Sequence, residues 1–278
     1  MSKLESQVAK ANKFRQLHHG PKTLVLPNIW DVSSARVLEE AGIAAIATTS
    51  AGIAFALGYP DGEQISREQM FEVVARIAAR VSLPVTADAE AGYGGRPEDA
   101  ALTARAVIEA GAVGLNLEDG TDDLQHPLAD LSRQLDKIAA VREAAGAMGV
   151  PLVLNARTDV YLLQVGKPES RFAETVRRLS AFKDAGADCL FAPGVRDLEV
   201  ISRLVRELQH PLNILAGPGS PPIPELQKIG VARVSLGSSP MRATLGLVRR
   251  IAQELQTTGT YHALEDAPSH AEVNKLLS

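Results

Sequence analysis

The residues with the most chemical potential are acidic and fall in two short phrases. TADAEAGYGG closes one apolar run with Asp88 and Glu90, two positions apart, and LNLEDG closes another with Glu118 and Asp119. If the first run is a strand that persists to Glu90, its period of two turns both carboxylates to one side. A neighbouring strand then brings Glu118 to the same level. Three carboxylates meeting in a partly dry place repel one another, and a divalent cation, protonation or an arginine relieves them. Oxygen-only donors favour Mg²⁺ or Mn²⁺, with waters completing an octahedron. No histidine cluster or thiolate pair points to zinc. The plainer alternative has Asp88 or Glu118 capping the next helix, with Arg157 neutralising the rest. The continuation GYGG favours the metal, because Gly92, Gly94 and Gly95 let the chain turn tightly over a ligand. They also suit a plain turn. The dinucleotide fingerprint is absent, since GYGG lacks its spacing and its partner acid.

Arg157 ends PLVLNAR, where a guanidinium could grip a substrate carboxylate through two parallel hydrogen bonds or pair with Asp159 or Glu118. Ser50, with the amides of Ala51 and Gly52, could donate to another substrate oxygen, or simply form a cap or turn. Trp30, just after the first apolar run, joins these substrate-contacting candidates. Asp61, in FALGYPDGEQIS, lies in a loop rich in turn residues; it is a candidate for proton transfer or the metal's outer shell, or a turn with Gly62. His126, in DGTDDLQHPLADLS, is a candidate acid or base on a long polar loop able to close over substrate, or a solvated histidine. His210 and Cys189 read as structural and buried, respectively. GPGSPP and VSLGSSPM carry only a weak phosphate signal.

These residues sit at the ends of a repeated unit. EEAGIAAIATTS, IEAGAVGLNLED, KDAGADCLFAPG and QKIGVARVSLGS each read as a helix end, a glycine stop (Gly42, Gly111, Gly186, Gly230) and a strand. Further strands are Thr23–Asn28, Leu83–Asp88, Pro151–Arg157 and Leu212–Gly217, apolar on consecutive residues as if buried on both faces. Helical periods fill Ser33–Ala41, Arg67–Val81, Pro97–Gly111, Ser132–Ala147, Ser170–Ala185, Leu198–Leu208, Pro222–Lys228 and Pro240 to about Gln256. Ser33, Ser66 and Ser132 are the expected caps. Leu4, Val8 and Phe14 suggest an amphipathic helix before the first strand. Eight strand–helix units predict an α/β fold of the (β/α)₈ TIM-type, with its chemistry on the loops after the strands. A doubly wound open sheet is the alternative, but it needs two protected edges. The expected body is 1–258, with 259–278 a helical tail around Ser269–Leu277.

Composition narrows the partners. The 278 residues carry 29 basic and 33 acidic side chains, a net charge of −4, with 4% aromatics and no basic block. Nucleic acid is therefore not expected, and small metabolites are. No apolar run is long enough for a membrane span and no secretory signal opens the chain, so a cytoplasmic setting is expected. One cysteine permits no intrachain disulfide.

Taken in order, LPNIWDVSSARVLEEAG, TTSAG, GYPDGEQIS, TADAEAGYG, LNLEDG, NARTD and RVSLGSSPMRA make the chain resemble the isocitrate lyase/phosphoenolpyruvate mutase superfamily, nearest to its 2-methylisocitrate lyase-like and phosphonomutase-like members. The resemblance implies a barrel whose eighth helix, here Ser239–Leu255, is exchanged between subunits, commonly in a homotetramer built as a dimer of dimers. It implies Mg²⁺ near Asp88, with Glu90 and Glu118 acting directly or through water. Ser50, Gly52 and Arg157 would contact an α-keto acid or its enolate, and Asp61 would stand close to the metal shell. Two departures bear on the reaction. The family's lyases carry KRCGH or KKCGH after the fourth strand, whereas this chain has EDGTDDLQHPLADLS, without the cysteine, the basic pair, or the lysine and asparagine of phosphonomutases. The family's DADTGYG is DAEAGYG here, and the longer Glu90 can still reach a metal-held water.

The expected activity is a metal-dependent carbon–carbon bond lyase acting on a small 2-hydroxy or 2-oxo di- or tricarboxylate through an enolate. His126, Tyr93 or a metal-held water would supply the proton. Oxaloacetate decarboxylation or hydrolysis and phosphonopyruvate-type chemistry are the rivals, and a non-catalytic metabolite-binding protein is a third class.

Overall fold

The computed structural model describes residues 2–278. Its strands are β1 (Leu24–Leu26), β2 (Asn28–Ile29), β3 (Ile46–Thr48), β4 (Val85–Asp88), β5 (Gly114–Glu118), β6 (Val153–Arg157), β7 (Cys189–Phe191), β8 (Leu212–Leu215) and β9 (Arg233–Ser235). The helices before the midpoint are α1 (Lys3–Leu17), α2 (Val32–Glu40), α3 (Ser50–Leu57), α4 (Arg67–Arg80) and α5 (Pro97–Glu109). Those after it are α6 (Leu131–Ala147), α7 (Pro168–Asp184), α8 (Leu198–Leu208), α9 (Ile223–Lys228), α10 (Ser239–Thr257) and α11 (His270–Leu277).

The strands form one parallel sheet in the order β1-β9-β8-β7-β6-β5-β4-β3-β2. Its two ends are pieces of the same stretch, parted at Pro27, which has no N–H for a ladder. β1 pairs with β9 and β2 with β3, so this divided strand completes the ring. The expected barrel is present, and the open sheet is not. Each of the four expected glycine stops has the left-handed φ that a helix end requires: 77° at Gly42, 88° at Gly111, 103° at Gly186 and 89° at Gly230.

Local details differ from expectation. Asp31, not Ser33, caps α2, accepting from Ser34 N at 2.7 Å. Ser66 caps α4 as expected, accepting from Gln69 N at 3.3 Å. Ser132 lies inside the first turn of α6, which follows Asp130. Helix α3 was not foreseen, because SAGIAFAL is nearly apolar throughout and so shows no helical period. On α1 the buried face is Gln7, Ala11 and Phe14, whereas Leu4 is 49% exposed.

Phe14 plugs the N-terminal end of the barrel. A Cβ on Gly114, the first residue of β5, would lie 2.9 Å from the Phe14 ring, from Thr86 Oγ1 and from Val153 O. Gln7 fastens α1 beside it, donating to Ile108 O at 2.8 Å and Ala112 O at 2.9 Å. The strands also bury polar side chains, including Thr86, Asn116, Asn155, Asn213 and Arg233. The layer between plug and strand tips is thus partly polar.

Helix α10 buries only Met241, and Leu245, Leu247, Val248 and Leu255 stay exposed. The tail helix α11 lies against α2 of its own chain, with Arg36 Nε donating to Leu276 O at 2.9 Å. Among the described residues, no helix is long and apolar enough to cross a membrane.

Candidate active site

The C-terminal strand ends open into a cavity of about 810 Å³ whose lining includes Asp61, Glu63, Glu90, Glu118, His126 and Arg157. Asp88, the last residue of β4, is held from several sides. Its Oδ2 accepts from Ser50 N at 3.1 Å and Ser50 Oγ at 2.9 Å, and its Oδ1 from Asn116 Nδ2 at 3.3 Å. Thr49 caps α3, so Ser50 lies in the helix's first turn with its amide toward the carboxylate, a favourable placement for negative charge. Ser50 therefore holds Asp88 rather than standing free.

The strand does not persist to Glu90. β4 stops at Asp88, and Glu90 takes a left-handed φ of 49°, so a turn rather than the pleat aims its side chain. Glu90 Oε2 accepts from Glu63 N at 2.6 Å, and Oε1 from the Tyr93 hydroxyl at 3.3 Å. Burial, then the charge of Asp88, pushes the Glu90 carboxyl up to about 8. Burial and Glu90 likewise raise the Tyr93 phenol, which stays a proton donor.

Glu118 and Arg157 face each other in register across β5 and β6, 2.5 Å apart between Oε2 and Nη1. Arg157 Nε and Nη2 donate to Asp159 at 2.6 and 3.0 Å. The ion-pair alternative for Arg157 is therefore realised with both acids. Asp159 takes two of its five N–H groups and Glu118 pairs with Nη1, so donor capacity remains for a further anion. Burial opposes its charge, but Glu118 and Asp159 hold its pKa above the ordinary value. Burial raises the Glu118 carboxyl well above its usual range, with Arg157 pulling it down and Asp159, Asp88 and Glu90 pushing it up.

The remaining candidates are more peripheral. Asp61 is at the exposed rim, its carboxyl raised by partial burial and then by Asp88. Trp30 packs on the core beside Gly52, where an added Cβ would sit 2.4 Å from Thr49 Cγ2 and 3.2 Å from Trp30 Cβ. Ala51 is buried in α3. His126 rides on a flap closed by a bridge between Gly120 and Leu128; its Nδ1 is 3.0 Å from Asp123 Oδ2 and its side chain is 78% exposed. His210 Nε2 meets Ala187 O at 2.8 Å, and Cys189 is buried, both structural as expected.

Glu63 and Lys137 escaped sequence reasoning. Glu63 accepts from Tyr93 N at 2.7 Å, bracing the glycine loop. Lys137 clamps that loop, donating to Ala91 O and Gly94 O, each at 2.8 Å. Asp119 is scaffold: fully buried, it accepts from Thr158 Oγ1 at 2.7 Å, Asp159 N at 2.9 Å and Arg178 Nη1 at 3.1 Å. It thus fixes the acid that orients Arg157.

Among the described residues, no three acidic, histidine or cysteine side chains stand close enough to cage an ion directly. The donor chemistry nevertheless fits a hydrated divalent cation. Asp61, Asp88 and Glu90 form no ion pair among the described residues, whereas Glu118 and Asp159 both pair with Arg157. Burial, and then their mutual repulsion, raises the carboxyls of Asp61 and Glu90. Asp88 and its neighbours would hold such an ion in part through water.

A family model described as phosphoenolpyruvate phosphomutase matches residues 14–256. The chain belongs to the isocitrate lyase/phosphoenolpyruvate mutase superfamily. Among its relatives, a lyase/mutase-like protein of Burkholderia cenocepacia J2315 has a solved structure that superposes with a TM-score of 0.92, at 39% identity over 98% of this chain and 96% of that one. An uncharacterized protein of Mycobacterium tuberculosis (strain ATCC 25618 / H37Rv) is 34% identical over 232 residues, 84% of each chain. Oxaloacetate acetylhydrolase, solved with its product oxalate, superposes with a TM-score of 0.86 at 26% identity, over 97% of this chain and 94% of that one.

Proposed function

We propose that the chain is a divalent-cation-dependent carbon–carbon bond lyase for a small 2-hydroxy or 2-oxo di- or tricarboxylate. The observation that carries this reading is the set of acids Asp61 on the loop between α3 and α4, Asp88 at the end of β4 and Glu90 in the turn after it, which form no ion pair among the described residues and stand near the partly engaged guanidinium of Arg157. When bound, Mg²⁺ or Mn²⁺ supplies Lewis-acid stabilisation for charge developing on the oxygens of a 2-oxo acid. The N–H groups of Arg157 left free orient the substrate carboxylate, and Trp30, Ala51 and Gly52 are the further substrate contacts in this reading. Ser50 keeps Asp88 aligned, and burial, then the charge of Asp88, keeps a proton on the Glu90 carboxyl near neutral pH while no cation is bound, with the Glu63 amide and the Tyr93 hydroxyl donating to it and fixing its direction. His126, on the flap, delivers a proton to the enolate carbon when the flap closes, and Asp61 stands at the cavity mouth.

Decarboxylation or hydrolysis of oxaloacetate uses the same enolate support, and the likeness to oxaloacetate acetylhydrolase favours it as the second reading. The test is turnover of a panel of 2-hydroxy and 2-oxo acids, with Mg²⁺ and with EDTA. Metal-dependent release of a 2-oxo acid from a 2-hydroxy acid supports the lyase, pyruvate from oxaloacetate supports decarboxylation, and acetate plus oxalate from oxaloacetate supports hydrolysis. No metal-dependent turnover on any member sinks both. The exposed apolar side of α10 supports its exchange between two copies, in a cytoplasmic homotetramer built from such dimers. A monomer by light scattering would contradict that.

A further inference from the structure

Arg233 opens β9 at the plugged end of the barrel and is 0% exposed. Burial lowers its pKa to about 10, so it remains a cation at neutral pH. Among the described residues it has no ion-pair partner, and its Nε and Nη1 are buried without a hydrogen bond. Its neighbour on the plug side is Phe14, whose ring centroid lies 6.0 Å from the guanidinium carbon. The hydrogen bond it does make runs toward the site: Nη2 donates to Asn116 Oδ1 at 3.3 Å.

That contact settles which way the Asn116 amide points. A guanidinium only donates, so the atom facing it must be the amide oxygen. Asn155 Nδ2 donates to the same oxygen at 2.8 Å. The amide nitrogen is thereby turned to Asp88 Oδ1, 3.3 Å away, across the register that pairs Asn116 with both Asp88 and Asn155. Rotated the other way, Asn116 would present an oxygen to a carboxylate.

We propose that Arg233 is a positioning residue for the acid site: through Asn116 it fixes an N–H donor on Asp88. The proposal rests on the reading of Asp88 as a holder of the divalent cation. An arginine kept only for packing has no reason to leave its charge unpaired in the barrel while its hydrogen bond serves the amide that touches Asp88. Partners behind a metal ligand characteristically change metal affinity by about 10–100-fold when removed.

The experiment measures Mn²⁺ binding to the full chain by electron paramagnetic resonance, alongside crystal structures of each variant. Arg233→Met should weaken Mn²⁺ binding about ten-fold or more. It should also lengthen the Asn116–Asp88 contact, while Arg233→Lys, which keeps a donor, restores most of both. Asn116→Ala should weaken binding similarly, and Arg233→Met should add nothing in that background. Unchanged Mn²⁺ binding in Arg233→Met, or losses that multiply in the double variant, would overturn the proposal. If Arg233→Met does not fold, Arg233→Lys in the Asn116→Ala background must match Asn116→Ala alone. If the unaltered protein binds no Mn²⁺, the metal reading fails, and the structures still decide: an Asn116–Asp88 contact unchanged in Arg233→Met refutes the positioning role.

Discussion

In the metal-free chain, Glu90→Gln is expected to raise the melting temperature at pH 8 and to leave it nearly unchanged at pH 4. Burial and then the charge of Asp88 lift the Glu90 carboxyl from 4.5 to about 8. Between those values the folded state holds a proton that the unfolded chain has released. Stability from this group is therefore fully present below its ordinary range and is lost as pH rises through about 8. A tenfold change in proton affinity is worth about 1.4 kcal/mol, which caps the effect near ~5 kcal/mol. Asp88, Asp61 and Glu63 share the repulsion, and solvent in the cavity screens it, so about 2 kcal/mol is expected. In a chain of this size that is a gain of about 4–8 °C. Glutamine keeps the volume and an oxygen for the Glu63 amide, and its NH₂ faces the Tyr93 hydroxyl oxygen, to which it can donate. The assay is calorimetry in EDTA from pH 4 to about 8.5, repeated with saturating Mg²⁺, where the variant should gain less from the ion than the unaltered chain. A variant that melts at or below the unaltered protein at pH 8 in EDTA would refute the electrostatic account.

Arg157→Met strips Glu118 and Asp159 of their buried partner and should cost about 3–5 kcal/mol, read as a lower urea midpoint at unchanged slope; an unmoved midpoint would show that the acids find other relief. Cys189, whose thiol burial pushes up to about 12, should resist iodoacetamide at pH 8 in the folded protein and react promptly in guanidinium. Rapid labelling of the native chain would contradict its placement. Gly114→Ala forces a methyl against Phe14 and a backbone oxygen and should destabilise by about 1–3 kcal/mol, again seen in the urea midpoint.

Much of this was legible in the sequence, because its signals are local. Glycines that end helices and apolar runs of strand length need only near neighbours to be recognised, and four such glycines adopt the required φ. The acids at the strand ends were visible for the same reason. What stayed hidden depends on distant parts of the chain. Ser50 reads as a substrate donor until Asp88, 38 residues later, takes both its N–H and O–H. Lys137 looks like an ordinary surface residue of α6, yet folding brings it to the carbonyls of the glycine loop. Glu90 was expected to follow the pleat, but its left-handed backbone aims it at the Glu63 amide instead. Pro27 could be seen, but that it divides the closing strand follows only from the pairing of β1 with β9 and β2 with β3.

The most direct test is a crystal structure grown with Mg²⁺ and oxalate. The account predicts an octahedral ion touching Asp88, with waters linking it to Glu90 and Glu118, and one oxalate carboxylate on the free N–H groups of Arg157. Oxalate bound elsewhere, with no ion among those acids, would contradict it.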